Sequence, residues 1–180
     1  EALAGAPTAL ARVTLRLVQA DQYHIEGRYA DAVPVLREAL EQLGSPFPAT
    51  EEEAGAKFVE EFGQCEALLA QRSHVDLLAA GEMTDARRLL EMRAYYGIAY
   101  CTYQVRCFNA YVLNACRMVR TTLDHGQCDL SSIAYVTYVT AMSAMKLPYP
   151  RCYEQGRLAM TLAEQREDRY YRLSVYQYFC

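Results

Sequence analysis

Ala20-Asp21-Gln22-Tyr23-His24-Ile25-Glu26-Gly27-Arg28-Tyr29-Ala30-Asp31-Ala32-Val33-Pro34-Val35-Leu36-Arg37-Glu38-Ala39-Leu40-Glu41-Gln42-Leu43 decides the fold class. Ala32, Val35, Leu36, Ala39, Leu40 and Leu43 recur at the i, i+3, i+4, i+7, i+8 spacing that puts one apolar stripe on an α-helix. Gly27 ends one helix before this stripe, and Gly44-Ser45-Pro46 ends the next. Small Ala20, Ala32 and Ala39 let two helices approach closely, while Tyr23, Tyr29 and Leu36 fill the remaining space. A helical pair cannot bury its face alone, so further helices must stack on it.

Working outward, the punctuation is Gly81, Gly126 and Pro148-Tyr149-Pro150, and the apolar period between breaks is helical throughout. Met92, Tyr95, Tyr96, Ala99, Tyr100 and Tyr103 form one stripe; Val105, Phe108, Val112, Ala115, Cys116, Val119 and Leu123 form another. Thr50-Glu51-Glu52-Glu53 reads as a capping box that opens a helix over 52–71. Thr84-Asp85 starts the next helix, and Asp129 to Ser132 is expected to cap one near 131–146. The run Ile133 to Thr140 is rich in β-favouring Val, Tyr and Thr, but it lacks strict alternation and reads as helix. The expectation is an all-α chain, one domain over 1–180, of about eight antiparallel helices joined by short loops.

Composition agrees. The 180 residues are 52% apolar and 22% charged, enough to bury a core and too apolar for a disordered tail. No apolar run is long enough to span a membrane, and no signal-peptide pattern opens the chain, so no membrane partner is expected. The opening Glu1-Ala2-Leu3 and the closing Phe179-Cys180 read as cuts from a longer chain. Residues 1–90 carry a net charge of −7 and residues 91–180 of +3. The acidic half reads as a solvated face. In the basic half Arg106, Arg117, Arg120, Arg151, Arg157, Arg166, Arg169 and Arg172 alternate with tyrosines, yet +3 is too weak for a nucleic-acid partner. The seven cysteines (Cys65, Cys101, Cys107, Cys116, Cys128, Cys152, Cys180) include no pair two residues apart, so zinc-ribbon and redox signatures are missing. They read as small buried hydrophobes with free thiols, in a cytoplasmic protein.

No catalytic, cofactor-binding or metal-binding residue emerges, and no cofactor is expected. Ser73-His74-Val75-Asp76 holds the residue types of a triad, but four adjacent residues cannot converge as one, and the segment reads as a polar loop. His125-Gly126-Gln127-Cys128 pairs a base with a thiol, but Gly126 reads as a helix terminator that leaves His125 at the C-terminal dipole. Glu51-Glu52-Glu53 and Glu60-Glu61 point in different directions around a helix and suit a surface. There is no glycine-rich phosphate loop. Of 15 tyrosines, 13 lie at or beyond residue 95. They suit core packing with hydroxyls at the rim, or an aromatic groove for a peptide or small molecule.

Residues 20–43 resemble the end of helix A and all of helix B of a tetratricopeptide repeat, with Arg16 where a Trp often begins helix A. Tyr153, Gly156, Leu158, Ala159 and Leu162 look like a second, poorer helix B. The longer series Leu78 to Met83, Thr84-Asp85, Arg88-Leu89-Leu90, then Arg117-Met118-Val119 through Thr122-Leu123-Asp124-His125-Gly126, is more specific. With Ser131 to Val136, Gly156-Arg157-Leu158-Ala159 and the Arg169 to Phe179 helix, it resembles the helical region that follows the ATPase module in giant multidomain signalling kinases. These proteins join a serine/threonine-kinase-like domain, an AAA/STAND-type ATPase, a tetratricopeptide-like region, a GAF sensor and often a histidine kinase. The resemblance implies a superhelical array of helical hairpins that is not itself an enzyme and has protein partners inside or outside the parent chain. The tyrosine excess itself gives a second reading, a ligand-sensing helical domain that binds a peptide or small molecule in a tyrosine-lined groove. The cysteine-rich stretch Cys101 to Cys116 and the Pro148-Tyr149-Pro150 turn depart from the pattern, which more often has a Gly-Asp-Tyr type turn at the latter place.

Overall fold

In the computed structural model, residues 8–166 and 169–179 are described, and local sequence sets most of their helix boundaries. Nine helices occur among them: α1 (Ala9–Ile25), α2 (Tyr29–Gln42), α3 (Glu51–Leu69), α4 (His74–Leu78), α5 (Ala86–Gln104), α6 (Phe108–His125), α7 (Ser131–Ala144), α8 (Tyr149–Gln165) and α9 (Arg169–Phe179). Glu1–Leu3 and Cys180 lie outside the described residues.

The Thr50 capping box forms as read, with the Glu53 amide donating to Thr50 Oγ1 at 3.2 Å and the Glu53 side chain returning to the cap backbone. Asp85 caps α5 by accepting the Arg87 amide at 2.8 Å. The expected side-chain cap of α7 is not made. Leu130 takes the cap position, and Ser131 Oγ instead accepts the Cys128 amide at 2.9 Å. Pro148-Tyr149-Pro150 starts α8, because proline in the first turn gives up only an amide that has no intrahelical partner.

Four helices end in the same Schellman closure. After α1, Arg28 N–H reaches Tyr23 C=O and Gly27 N–H reaches His24 C=O; Ser45 and Gly44 repeat the pattern after α2. After α5 and α7 the left-handed residue is not glycine but Arg106 (φ 60°) or Lys146 (φ 56°). Both are cations, the charge that a helix C-terminus favours. This closure cuts the stripe from Val105 to Leu123 at its start, leaving Val105 and Phe108 exposed while Val112, Cys116 and Val119 are buried.

The α1–α2 hairpin packs on α5, α5 on α6, α6 on α7 and α7 on α8, with α9 against both α7 and α8. Ala32 and Ala39 are fully buried at the first of these contacts. A Cβ on Gly97 would sit 3.1 Å from the Leu36 methyls, a measure of how closely α5 approaches α2. The antiparallel expectation fails at α3, which leaves the sequential order and lies on α6. Glu51 meets the α6 start at Asn109 and Ala110, Cys65 meets Cys116, and Arg72 meets Leu123, so the two helices run parallel. The 131–146 segment is helix despite its β-branched content. Buried nearly all round, its packing outweighs propensity, and Thr137 Oγ1 is satisfied by Ile133 C=O at 2.8 Å. Glu82 and Gln127 form an isolated parallel bridge, the sole strand-like pairing among the described residues.

Candidate binding groove

Helix α5 divides its aromatic residues between two faces. Met92, Tyr95 and Ala99 are buried; Tyr96 and Tyr100 are half-buried, and Tyr103 is 60% exposed. The single stripe read from the sequence is therefore a core face beside an open one. Arg93, Tyr96, Tyr100 and Tyr103 follow the 3-4-3 spacing of that open face.

Three adjoining cavities run along it. The first, about 250 Å³, lies between α1 and α5, with Asp21, His24, Arg93, Tyr96 and Tyr100 in its wall and Tyr171 of α9 across from them. The second, about 320 Å³, shares Tyr96 and Tyr100 and adds Tyr103, Tyr111, Thr137 and Tyr178. The third, about 370 Å³, lies at the α5–α6 corner among Tyr103, Arg106, Phe108, Tyr111, Thr140 and Tyr178. Shared walls make them one groove built by α1, α5, α6, α7 and α9. His24 stacks on Tyr100 with centroids 4.0 Å apart, Tyr96 meets Tyr171 edge-on at 5.7 Å, and Tyr103 lies 5.8 Å from Tyr111. Arg93 pairs with Asp21 at 3.3 Å. Burial pushes the Tyr111 hydroxyl well above the ordinary phenol range, and Tyr178 shifts the same way for the same reason, so both stay neutral. The groove thus offers aromatic faces and neutral hydroxyls, with the His24 imidazole and the Asp21–Arg93 pair at its α1 end.

The other polar residues singled out in the sequence have structural work. The segment is a helix start rather than a loop: Ser73 is the N-cap of α4 and with Asp76 forms a capping box, and Ser73 Oγ donates directly to Asp76 at 2.7 Å with no imidazole between them. His125 ends α6 exposed, and Gly126 (φ 96°) ends the helix as read. Cys128 is buried with its sulfur toward Ser131, so no thiol–imidazole pair forms. Glu51 is not a free surface carboxylate; it accepts the Asn109 and Ala110 amides at 2.9 and 3.0 Å and caps α6 from another helix. Glu61 pairs with Arg117 at 2.7 Å, and nearby Glu91, 3% exposed, takes Arg88 at 2.6 Å and the Tyr95 hydroxyl at 3.2 Å. This cluster joins α3, α5 and α6 with its charges matched. Arg120, Arg151 and Arg166 are likewise paired with carboxylates. The side chain of Arg169 lies outside the described residues.

The six described cysteines are free, five of them buried. Among the described residues no cluster of His, Cys, Asp and Glu could hold a metal ion, and no helix is long and apolar enough to cross a membrane. The sequence showed the tyrosine excess but not Arg106 at the end of the groove, because nothing local marks a left-handed arginine. No family model, curated protein or solved structure matches the chain.

Proposed function

We infer that the chain is a non-catalytic, tetratricopeptide-like module that docks protein segments and regulates the kinase or ATPase of a larger cytoplasmic signalling protein. The observation that carries this reading is the continuous tyrosine-lined groove to which α1, α5, α7 and α9 all contribute. A groove shared by several helices is the kind of surface that stacked hairpins offer to an extended or helical peptide. The close α1–α2 and α2–α5 packing at Ala32, Ala39 and Gly97 supports the repeat reading of 20–43. The absence of a phosphate cradle from the sequence supports the non-catalytic part.

The test is calorimetry of the purified chain against the segments flanking it in its gene, and separately against ATP with Mg²⁺. Binding of a flanking segment that Tyr100→Ser weakens at least about ten-fold is the expected result. Binding indifferent to Tyr100, no binding of either flank, or micromolar Mg²⁺-dependent ATP binding would each overturn the reading.

A further inference from the structure

The third cavity differs from the rest of the groove. Its rings stand in solvent around the opening, with Phe108 51% and Tyr103 60% exposed, and their burial needs an occupant. Its one charged wall residue among the described residues, Arg106, is held at φ 60°, where a non-glycine residue is strained by roughly 1–2 kcal/mol. The equivalent turns after α1 and α2 carry Gly27 and Gly44. Arg88, Arg117, Arg120, Arg151 and Arg166 each have a carboxylate partner, whereas Arg106 has none among the described residues.

We propose that this pocket binds a small organic acid whose ring or branched alkyl body lies among Tyr103, Phe108, Tyr111 and Tyr178 and whose carboxylate rests on the Arg106 guanidinium. The planar guanidinium fork matches a carboxylate in two parallel hydrogen bonds, a geometry a rounder anion does not offer. A volume of about 370 Å³ is at the small end for ligand pockets and suits one ring with a short chain. Neutral Tyr111 and Tyr178 hydroxyls add no charge to repel the anion. The proposal goes beyond the docking function and does not depend on it, because the pocket needs neither Tyr100 nor the α1 side of the groove.

The experiment is calorimetry of the full chain at low salt with 4-phenylbutyrate and its neutral counterpart 4-phenylbutanol. The acid is expected to bind at one site at least about ten-fold more tightly than the alcohol, the worth of one charge-assisted hydrogen-bonded pair. Arg106→Gly should raise the melting temperature by relieving the left-handed strain, yet bring acid and alcohol to within about two-fold. Opposite signs for stability and binding separate recognition from a structural role. Lys146→Gly relieves the same strain away from the pocket and should leave the acid preference unchanged. Phe108→Ser should weaken both ligands. Equal binding of acid and alcohol, no binding of either up to about 10 mM, or a preference that survives Arg106→Gly would overturn the proposal.

Discussion

Gly126→Ala should destabilise the chain far more than its size suggests. Gly126 has φ 96° and ψ −178°, a region essentially reserved for glycine, where another residue is strained by about 1–3 kcal/mol. An added Cβ would lie 2.5 Å from Gly81 O and 3.1 Å from the Glu82 carbonyl carbon, and backbone atoms cannot swing aside as a flexible side chain can. To make room, 81–83 must move from 127, which stretches the Gln127 N–H bond to Gly81 (2.8 Å) and the Met83 N–H bond to Gln127 (2.7 Å). Two weakened backbone bonds add about 1 kcal/mol each, for a total of about 3–5 kcal/mol. At about 2–4 °C per kcal/mol for a chain of this length, the melting temperature should fall by about 6–20 °C. Gly27→Ala is the control: φ is 72°, but nothing lies within 4 Å of the new Cβ, so only the left-handed strain of about 1–2 kcal/mol applies. Thermal and urea melts followed by circular dichroism read both variants. Equal shifts at the two positions would refute the claim that the 81–83 contact makes Gly126 special.

Ala32→Glu or Ala39→Glu should unfold the N-terminal hairpin, since each site is fully buried and an unpaired carboxylate there costs several kcal/mol; melts within a degree or two of the parent would refute this. Glu61→Gln should lower stability by about 3 kcal/mol by leaving the part-buried Arg117 without its carboxylate, and urea titration of the Glu61→Gln/Arg117→Met double variant should recover part of the loss. Burial raises the Cys101 thiol to about 11 and lifts Cys116, Tyr95 and Tyr138 above their ordinary ranges. These groups hold protons more tightly folded than unfolded, so their contribution is full below the unfolded values of about 8.5 for thiols and about 10 for phenols. It is lost as pH climbs through the folded values. Tyrosinate absorbance should therefore rise in two phases, exposed phenols first and the buried ones only with loss of helical signal; a single phase without unfolding would contradict the burial.

The sequence was most informative where one residue decides a local outcome. Thr50 and Asp85 act through short side chains on amides two or three residues away, and Gly27, Gly44 and Gly126 through their own backbone, so these roles are legible without the rest of the fold. The change of stripe between Tyr103 and Val105 marked the α5–α6 break, but the turn itself was not legible, because Arg106 enters the left-handed region with no glycine or proline to announce it. The parallel placement of α3 was hidden for a different reason. It rests on Glu51, Glu61 and Cys65 meeting residues more than fifty positions away, and charge or apolarity alone does not name a partner at that distance. The groove was half legible: the tyrosine excess was visible, but separating Tyr96, Tyr100 and Tyr103 from the buried Tyr95 needed the neighbouring helices.

The contact between the start of α5 and the end of α2 also bears on how the chain can tolerate change. Arg87 donates to the Leu43 carbonyl, closing a neck between residues 44 apart in sequence, and everything between them is an excursion returning to its point of departure. Closing such a loop costs an entropy that grows only as the logarithm of its length, about 0.6 kcal/mol for each doubling. The fold is thus sensitive to the integrity of the neck and nearly indifferent to how far the chain travels beyond it. A flexible insertion at the exposed Ala79-Ala80 step could double the excursion at little thermodynamic expense, whereas Arg87→Ala would open the neck itself and loosen both ends together.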